Sequence, residues 1–302
     1  MSPSSASPDE QWVEVAGRRL KLTHLDRVLY PSTGFTKGEM VHYYTQVAEP
    51  LLRQLSERPV TRIRYTAGVD GPTFFEKNVP KGAPAWLRHQ VLSASPGTED
   101  EGTELDLPVF DDLPALVWSA NQGAVEMHTP QWTVGPRGGV RRPDRLVIDL
   151  DPGPPAGLDL CAQVAHLVAG RLAQDGLTHT QPVTSGSKGM QLYAPLPGRR
   201  TATEVREYAR TVAHELAAEH PRLVVAIMKK TLRPGKVLLD WSQNHPAKTT
   251  ITPYSLRGRE HPAVAAPRRW DEIEAGLTQL HPDEVVRRLA AEGDLFHPEE
   301  ES

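Results

Sequence analysis

The stretch Arg145-Leu146-Val147-Ile148-Asp149-Leu150-Asp151-Pro152-Gly153 reads as an apolar strand that ends on two acids. A strand has period two, so Asp149 and Asp151 share one face while Leu150 points to the other, into a core. Two neighbouring carboxylates repel unless a cation sits between them, and hard cations such as Mg²⁺ and Mn²⁺ take oxygen ligands. Pro152 and Gly153 end the strand and open its acidic end to solvent. The same residues also fit a plain strand-to-turn junction, where Asp is common for local reasons. A third acid bears on the choice. Val237-Leu238-Leu239-Asp240-Trp241 is another apolar strand, and a charge there is costly unless paired or metal-bound. Three carboxylates on neighbouring strands suit two-metal phosphoryl transfer, with one cation acidifying the attacking hydroxyl and the other holding the triphosphate. An Asp240 paired with a nearby Lys or Arg is the competing reading.

Outward from this stretch, strands and helices alternate. A helix is expected over 158–175. PVTS (182–185) and MQLYAP (190–195) are expected as two strands joined by the turn Gly186-Ser187-Lys188-Gly189. A second helix covers 203–219, and strands cover 223–228, 237–241 and 248–255. Residues 271–291 read as mostly helical, interrupted near Pro282. On the N-terminal side, Thr36-x-x-Glu39 is a capping box, followed by Met40, Tyr43, Tyr44, Val47 and Leu51 at helical spacing until Pro50. Residues 60–65 alternate like a strand, and 113–127 read as a helix leading to His128. The Gly- and Pro-rich loop 135–143 is the best boundary between two parts. The fold class expected is α+β with an antiparallel or mixed sheet. Neither a GxGxxG loop nor a Walker P-loop occurs.

Composition narrows the function. The 302 residues contain one cysteine, Cys161, so no internal disulfide forms, and a reducing cytoplasm is expected. No apolar run approaches the roughly 20 residues that span a bilayer, and MSPSSASPDE does not read as a secretory signal. The net charge is −4, yet residues 99–112 and 292–302 hold acids and no Lys or Arg. With those twelve acids set aside, 34 basic residues face 26 acidic ones, a balance of +8. Basic clusters then stand out around Arg141, Arg233 and Arg268. Each alone fits a solvated surface; several around one acidic site point to phosphate binding.

Further candidates surround the acids. Thr184-Ser185-Gly186-Ser187-Lys188-Gly189 can bring backbone N–H groups close to an anion, although many hairpin turns look alike. Gln243, Lys248 and Arg257 mix amide, ammonium and guanidinium groups near Asp240, suited to offsetting negative charge. Phe74 and Phe75, beside Lys77, either stack on bases or pack in the core. His128, taken alone, reads as structural.

Together, LDRVLYPSTGFTK, FFEKN, EMHTPQW, LVIDLDPG, VTSGSKGMQLY and LLDWSQN…KTTITPYSLRGR, in that order from about Thr23 to about Leu295, resemble the polymerase domain of bacterial ATP-dependent DNA ligase D. That domain belongs to the archaeo-eukaryotic primase superfamily. The resemblance implies a primase-type catalytic core with an RRM-like sheet and a smaller N-terminal α/β module. It implies one domain over 11–296 (module about 11–135, core about 144–296) between a disordered tail at 1–10 and an acidic tail at 297–302. It implies template-directed addition of nucleotides, ribonucleotides preferred, at DNA gaps and breaks in end joining. Asp149, Asp151 and Asp240 would hold two Mn²⁺ or Mg²⁺ ions. Ser185, Lys188 and Arg257 would contact the phosphates of an NTP or dNTP, with His128, Gln191, Gln243 and Lys248 nearby. Phe74, Phe75 and Lys77 would meet the template. Arg27 and Lys37 would hold a 5′-phosphate, and Arg233 and Lys236 would approach the primer end. Ku and a separately supplied ATP-dependent ligase are the expected partners, in the bacterial cytoplasm at the nucleoid, with no membrane.

Three departures stand out. Gln191 occupies a position usually held by His, and cannot be cationic. His24 and Arg27 stand where Asn and Lys are usual; Arg27 can still bind phosphate bidentately. No KxDG ligase motif occurs, so a stand-alone polymerase is expected. A primase, a DNA-end binding module that has lost catalysis, and a metal-dependent nuclease are the alternatives.

Overall fold

The computed structural model describes residues 9–94 and 101–296. The tails expected at 1–10 and 297–302 lie outside these residues, except Asp9 and Glu10, and Glu10 already opens a strand. The hairpin β1 (Glu10–Val15) and β2 (Arg18–Thr23) is followed by a smaller one, β3 (Val28–Tyr30) and β4 (Phe35–Thr36). Helix α1 (Lys37–Gln46) begins at the expected capping box, with Glu39 N–H donating to Thr36 Oγ1 and Thr36 N–H donating to the Glu39 carboxylate. It buries Met40, Tyr43 and Tyr44 and stops short of Pro50. The chain restarts as α2 (Ala48–Leu55), whose first turn accepts the proline because no N–H is needed there.

Strands β5 (Thr61–Arg64) and β6 (Phe74–Glu76) and the hairpin β7 (His89–Ser93) and β8 (Glu104–Pro108) lead to α3 (Leu113–Asn121). The helix expected over 113–127 is therefore too long. Gly123, at a φ of +80°, turns the chain, and the rest becomes β9 (Ala124–Thr129). Next come β10 (Arg145–Pro152), α4 (Leu158–Gln174), β11 (Gln181–Thr184), β12 (Met190–Pro195) and α5 (Ala202–Glu219), close to the expected spans. Strand β13 (Val224–Val225) is shorter than expected, and β14 (Val237–Asp240) ends on its acid. Of the strand expected over 248–255 only β15 (Thr250–Ile251) pairs, since Pro253 has no N–H to offer a ladder. Short pieces β16 (Leu256–Arg257), β17 (Ala263–Val264) and β18 (Ala266–Pro267) follow. Pro282 starts α6 (Pro282–Glu292) rather than interrupting a longer helix, because its fixed φ suits a first helical position.

Two sheets organise these elements. One has the order β13-β14-β10-β12-β11-β18, antiparallel except for β13 and β14; the other has the order β15-β9-β5-β6. On β10, Leu146, Ile148 and Leu150 pack against α4 and α5, whose buried faces include Val164, Val168, Val212 and Leu216. Arg145, Val147, Asp149 and Asp151 point the other way. There Val147 packs with Val183, Tyr193 and Ile251, so the second sheet meets the first through β15. Buried Arg145 ties the two together: it donates to Gln131 Oε1 (2.8 Å), Thr129 Oγ1 (2.9 Å) and Gln54 Oε1 (3.2 Å). Among the described residues no helix is long and apolar enough to cross a membrane.

Strand β14 stops at Asp240, leaving the β14-side edge of β10 without a strand partner at Val147. The buried side chain of Asn244 takes over: its Oδ1 accepts from Val147 N–H (3.0 Å) and its Nδ2 donates to Val147 C=O (2.7 Å). Asn244→Ala is expected to cost about 2–4 kcal/mol, because two buried backbone groups lose their partners. Urea unfolding checks this; a loss under about 1 kcal/mol would show that the turn repairs itself.

Candidate active site

The register of β10 decides the site. Asp149 lies directly opposite Asp240 on β14 and opposite Gln191 on β12. Directly opposed residues have Cα atoms about 4.5–5.5 Å apart and side chains on one face. Asp151, two residues on, shares that face. Each carboxylate has its own partner. Asp149 Oδ1 accepts from Gln191 Nε2 at 3.1 Å. Asp151 Oδ2 lies 3.2 Å from Arg233 Nη1. Asp240 accepts from Ser242 N–H (3.0 Å) and Gln243 Nε2 (2.9 Å), and Lys248 Nζ donates to Ser242 Oγ behind it. Asp240 is therefore not consumed by a basic partner, the competing reading of the sequence.

Among the described residues no group of three or more His, Cys, Asp or Glu side chains is gathered as a metal cage. The donor set nonetheless fits a hard cation: it is all oxygen, and it carries uncompensated charge. Burial, together with Asp240 and Asp151, pushes the Asp149 carboxyl up to about 7 against the lowering effect of Gln191. Gln191 is oriented by Tyr193, whose hydroxyl donates to Gln191 Oε1 at 2.8 Å, so the amide offers Asp149 a donor but no charge.

Asp149 and Asp151 open into a cleft of about 840 Å³ whose walls also include His128, Ser185, Lys188, Gln191, Gln243 and Arg257; Asp240, opposite Asp149 on β14, is not among its lining residues. The turn 185–189 packs tightly against its surroundings. A side chain at Gly189 would strike Leu150 C=O at 2.0 Å, and one at Gly186, at a φ of +67°, would strike Arg257 Cγ at 2.5 Å. Gln279 braces this turn, accepting from Gly186 N–H (2.7 Å) and donating to Gly189 C=O (3.1 Å). Lys188 is exposed at its tip. Across the cleft, the buried carboxylate of Glu126 holds His128 (2.8 Å) and Arg257 (3.0 Å).

The remaining candidates lie apart. Phe74 and Phe75 are 46% and 58% exposed on the edge strand β6, so they are not core residues. Phe75 and Lys77 line a second, apolar cleft with Trp132 and Val140, which meets the first at Thr249. Arg27 is exposed and donates to Thr66 C=O. Lys37 is buried, donates to Thr23 C=O, and is lowered to about 8 by burial and by Arg27 and Arg64. Lys236 donates to Pro221 C=O (2.6 Å). Sequence reading passed over Glu126, Tyr193 and Gln279 as functional residues. Period two in Glu126-Met127-His128 puts Glu126 on the face of His128 and could have flagged it; Gln279, 93 residues from Gly186, gives no local signal.

Over residues 36–296 the sequence matches the family described as LigD, primase-polymerase domain. The chain belongs to the LigD primase-polymerase family. It is 46% identical over 285 residues to the multifunctional non-homologous end joining protein LigD of Mycobacterium bovis, covering 92% of this chain and 37% of that protein. It is 34% identical over 281 residues to the bifunctional non-homologous end joining protein LigD of Bacillus subtilis, covering 92% of this chain and 44% of that protein. The chain thus spans less than half the length of these LigD relatives. The polymerase domain of Mycobacterium tuberculosis ligase D, solved in complex with DNA, superposes with a TM-score of 0.87 at 45% identity, covering 92% of this chain and 96% of that one. The α+β class expected from the sequence is thereby borne out.

An acid with a raised pKa keeps its proton longer when folded. Its contribution to stability therefore falls as pH rises from 3.8 through about 7, and stays lost above that. Because Asp149 is only partly buried, the penalty at pH 8 is on the order of 1–3 kcal/mol. Metal-free Asp149→Asn should melt higher than the parent at pH 8, with the gain shrinking toward pH 4. An equal gain at both pH values would contradict the charge repulsion.

Proposed function

We propose that this chain is a metal-dependent, template-directed nucleotidyltransferase that extends 3′ ends at DNA gaps and breaks during end joining. The observation that carries this is the opposition of Asp149 and Asp240 across β10 and β14, with Asp149 and Asp151 lining a cleft rimmed by Ser185, Lys188 and Arg257. The primer 3′-oxygen forms a bond to the α-phosphorus of the incoming nucleotide, the α–β bridging bond breaks, and pyrophosphate leaves. Bound by Asp149, Asp151 and Asp240, two Mn²⁺ or Mg²⁺ ions would supply the Lewis acidity that activates the hydroxyl and steadies the leaving group. Exposed Lys188 at the tip of the turn 185–189 would bring one full positive charge to the negative triphosphate, while the Ser185 and Gly186 N–H groups are spent bracing the turn. Arg257, in the cleft wall, adds a second charge. Gln243 and Lys248 hold Asp240 in place directly and through Ser242.

DNA engagement follows from the same physics. Burial first, and then the nearby Arg27 and Arg64, depress Lys37, and a 5′-phosphate there would offset this gathered positive charge. Exposed Phe74 and Phe75 offer stacking faces to the template, with Lys77 beside them. Arg233, already bridging to Asp151, stands where a primer end would arrive, with Lys236 on the same loop. The reading extends to ribonucleotide preference and to Ku and an ATP-dependent DNA ligase activity as partners, on the strength of the family resemblance alone.

Extension of a primer across a short gap with a 5′-phosphate tests the proposal. It should need Mn²⁺ or Mg²⁺ and favour rNTP over dNTP. Asp149→Ala should remove extension while gapped-DNA binding stays within about twofold, because only groups acting in the transition state are lost. Extension by Asp149→Ala at the parent rate would overturn the mechanism.

A further inference from the structure

Glu126 is a buried acid that the reaction above does not use. Its side chain is 4% exposed. Oε2 accepts from His128 Nε2 (2.8 Å) and Arg257 Nη1 (3.0 Å), and Oε1 accepts from Gly258 N–H (2.9 Å), with the Tyr65 hydroxyl at 3.4 Å. Burial alone would raise its pKa, but the His128 bond, the Arg257 charge and the Gly258 N–H together hold it near 2. It is thus a fixed negative charge behind His128 and Arg257, which line the cleft.

The backbone of Arg257 is held independently of this charge: it ends β16, which pairs with β17, and its C=O accepts from the Tyr30 hydroxyl (2.8 Å), so what Glu126 adds is the placing of the side chain. An arginine side chain gives up about 2 kcal/mol of rotamer freedom when it is ordered. Glu126 orders it before any ligand arrives, and the close approach of Gly186 confines its stem from the other side. His128 is fixed by the same oxygen. With Nε2–H committed to Glu126 and burial disfavouring the charged ring, Nδ1 is left as an acceptor, suited to a ligand hydroxyl and not to a phosphate oxygen.

We propose that Glu126 is a positioning residue that presents Arg257 to the phosphates of the incoming nucleotide. This rests on the nucleotide-binding reading above. A carboxylate that merely neutralised buried cations would affect stability and not nucleotide affinity. Preorganisation instead appears in affinity, because the ordering cost moves from the binding step to folding.

A double-mutant cycle on the full chain, read as KM for NTP in gap filling, separates the two. Glu126→Gln should raise KM about tenfold or more with kcat changed less than about threefold. Arg257→Ala should raise KM as well, and adding Glu126→Gln to it should cost less than about twofold more, because one acts through the other. An unchanged KM in Glu126→Gln with only a lower melting temperature, or full additivity with Arg257→Ala, overturns the proposal. Should Glu126→Gln not fold, Glu126→Asp keeps the charge but shortens the reach. It should raise KM several-fold with the same non-additivity, and an unchanged KM would again overturn the proposal. If Arg257→Ala itself leaves KM untouched, the nucleotide-binding reading fails; if Arg257→Ala raises KM and the Glu126 variants do not, only the positioning role fails.

Discussion

The structure turns on a repulsion built into one strand pair. The register of β10 against β14 sets Asp149 against Asp240, and the pleat adds Asp151 on the same face. Like charges directly opposed across strands are unfavourable. The register survives because the opposite face of β10 is committed: Leu146, Ile148 and Leu150 are locked under α4 and α5, and a slip of one residue would turn them out. Apolar packing thus imposes the carboxylate geometry, and burial, with the two neighbouring acids adding to it, raises the proton affinity of Asp149.

Around this pair the neighbours are mostly neutral donors. Gln191, Ser242 and Gln243 give the acids hydrogen bonds without cancelling their charge. A histidine at position 191 could have carried a compensating proton; the glutamine cannot, so more of the negative field is left for a cation. The exception is Arg233, whose bridge to Asp151 is half open to solvent on the acid's side, and such exposed pairs are weak enough to exchange when a ligand arrives. The positive groups sit one layer out, on the turn 185–189 and at Arg257. Charge therefore alternates outward from the sheet, an order suited to a cation followed by an anionic ligand.

Much of this was legible in the sequence because it obeys short periods. Alternation in 145–151 placed two acids on one face and their neighbours in the core, and the hairpin 181–195 and the cap at Thr36 follow from residues a few positions apart. Failures came where a single residue overrode a longer pattern. Gly123 converts the end of an apparent helix into the strand that carries Glu126 and His128. The proline at 282 opens a helix instead of breaking one, and the one at 253 cuts a strand to two paired residues. The alliances that complete the site are long-range. Arg257 joins Glu126 across 131 positions, and Asn244 joins Val147 across 97. No window of sequence contains both members of either pair.

Manganese binding followed by electron paramagnetic resonance tests most directly whether the opposed carboxylates form one cation site. The parent chain should take up Mn²⁺ at neutral pH, and neutralising either side of the pair, Asp149→Asn or Asp240→Asn, should weaken uptake by at least about tenfold, the loss expected when one of a few charged ligands is removed. Parent-like Mn²⁺ affinity in both variants would mean that the two acids do not share a cation.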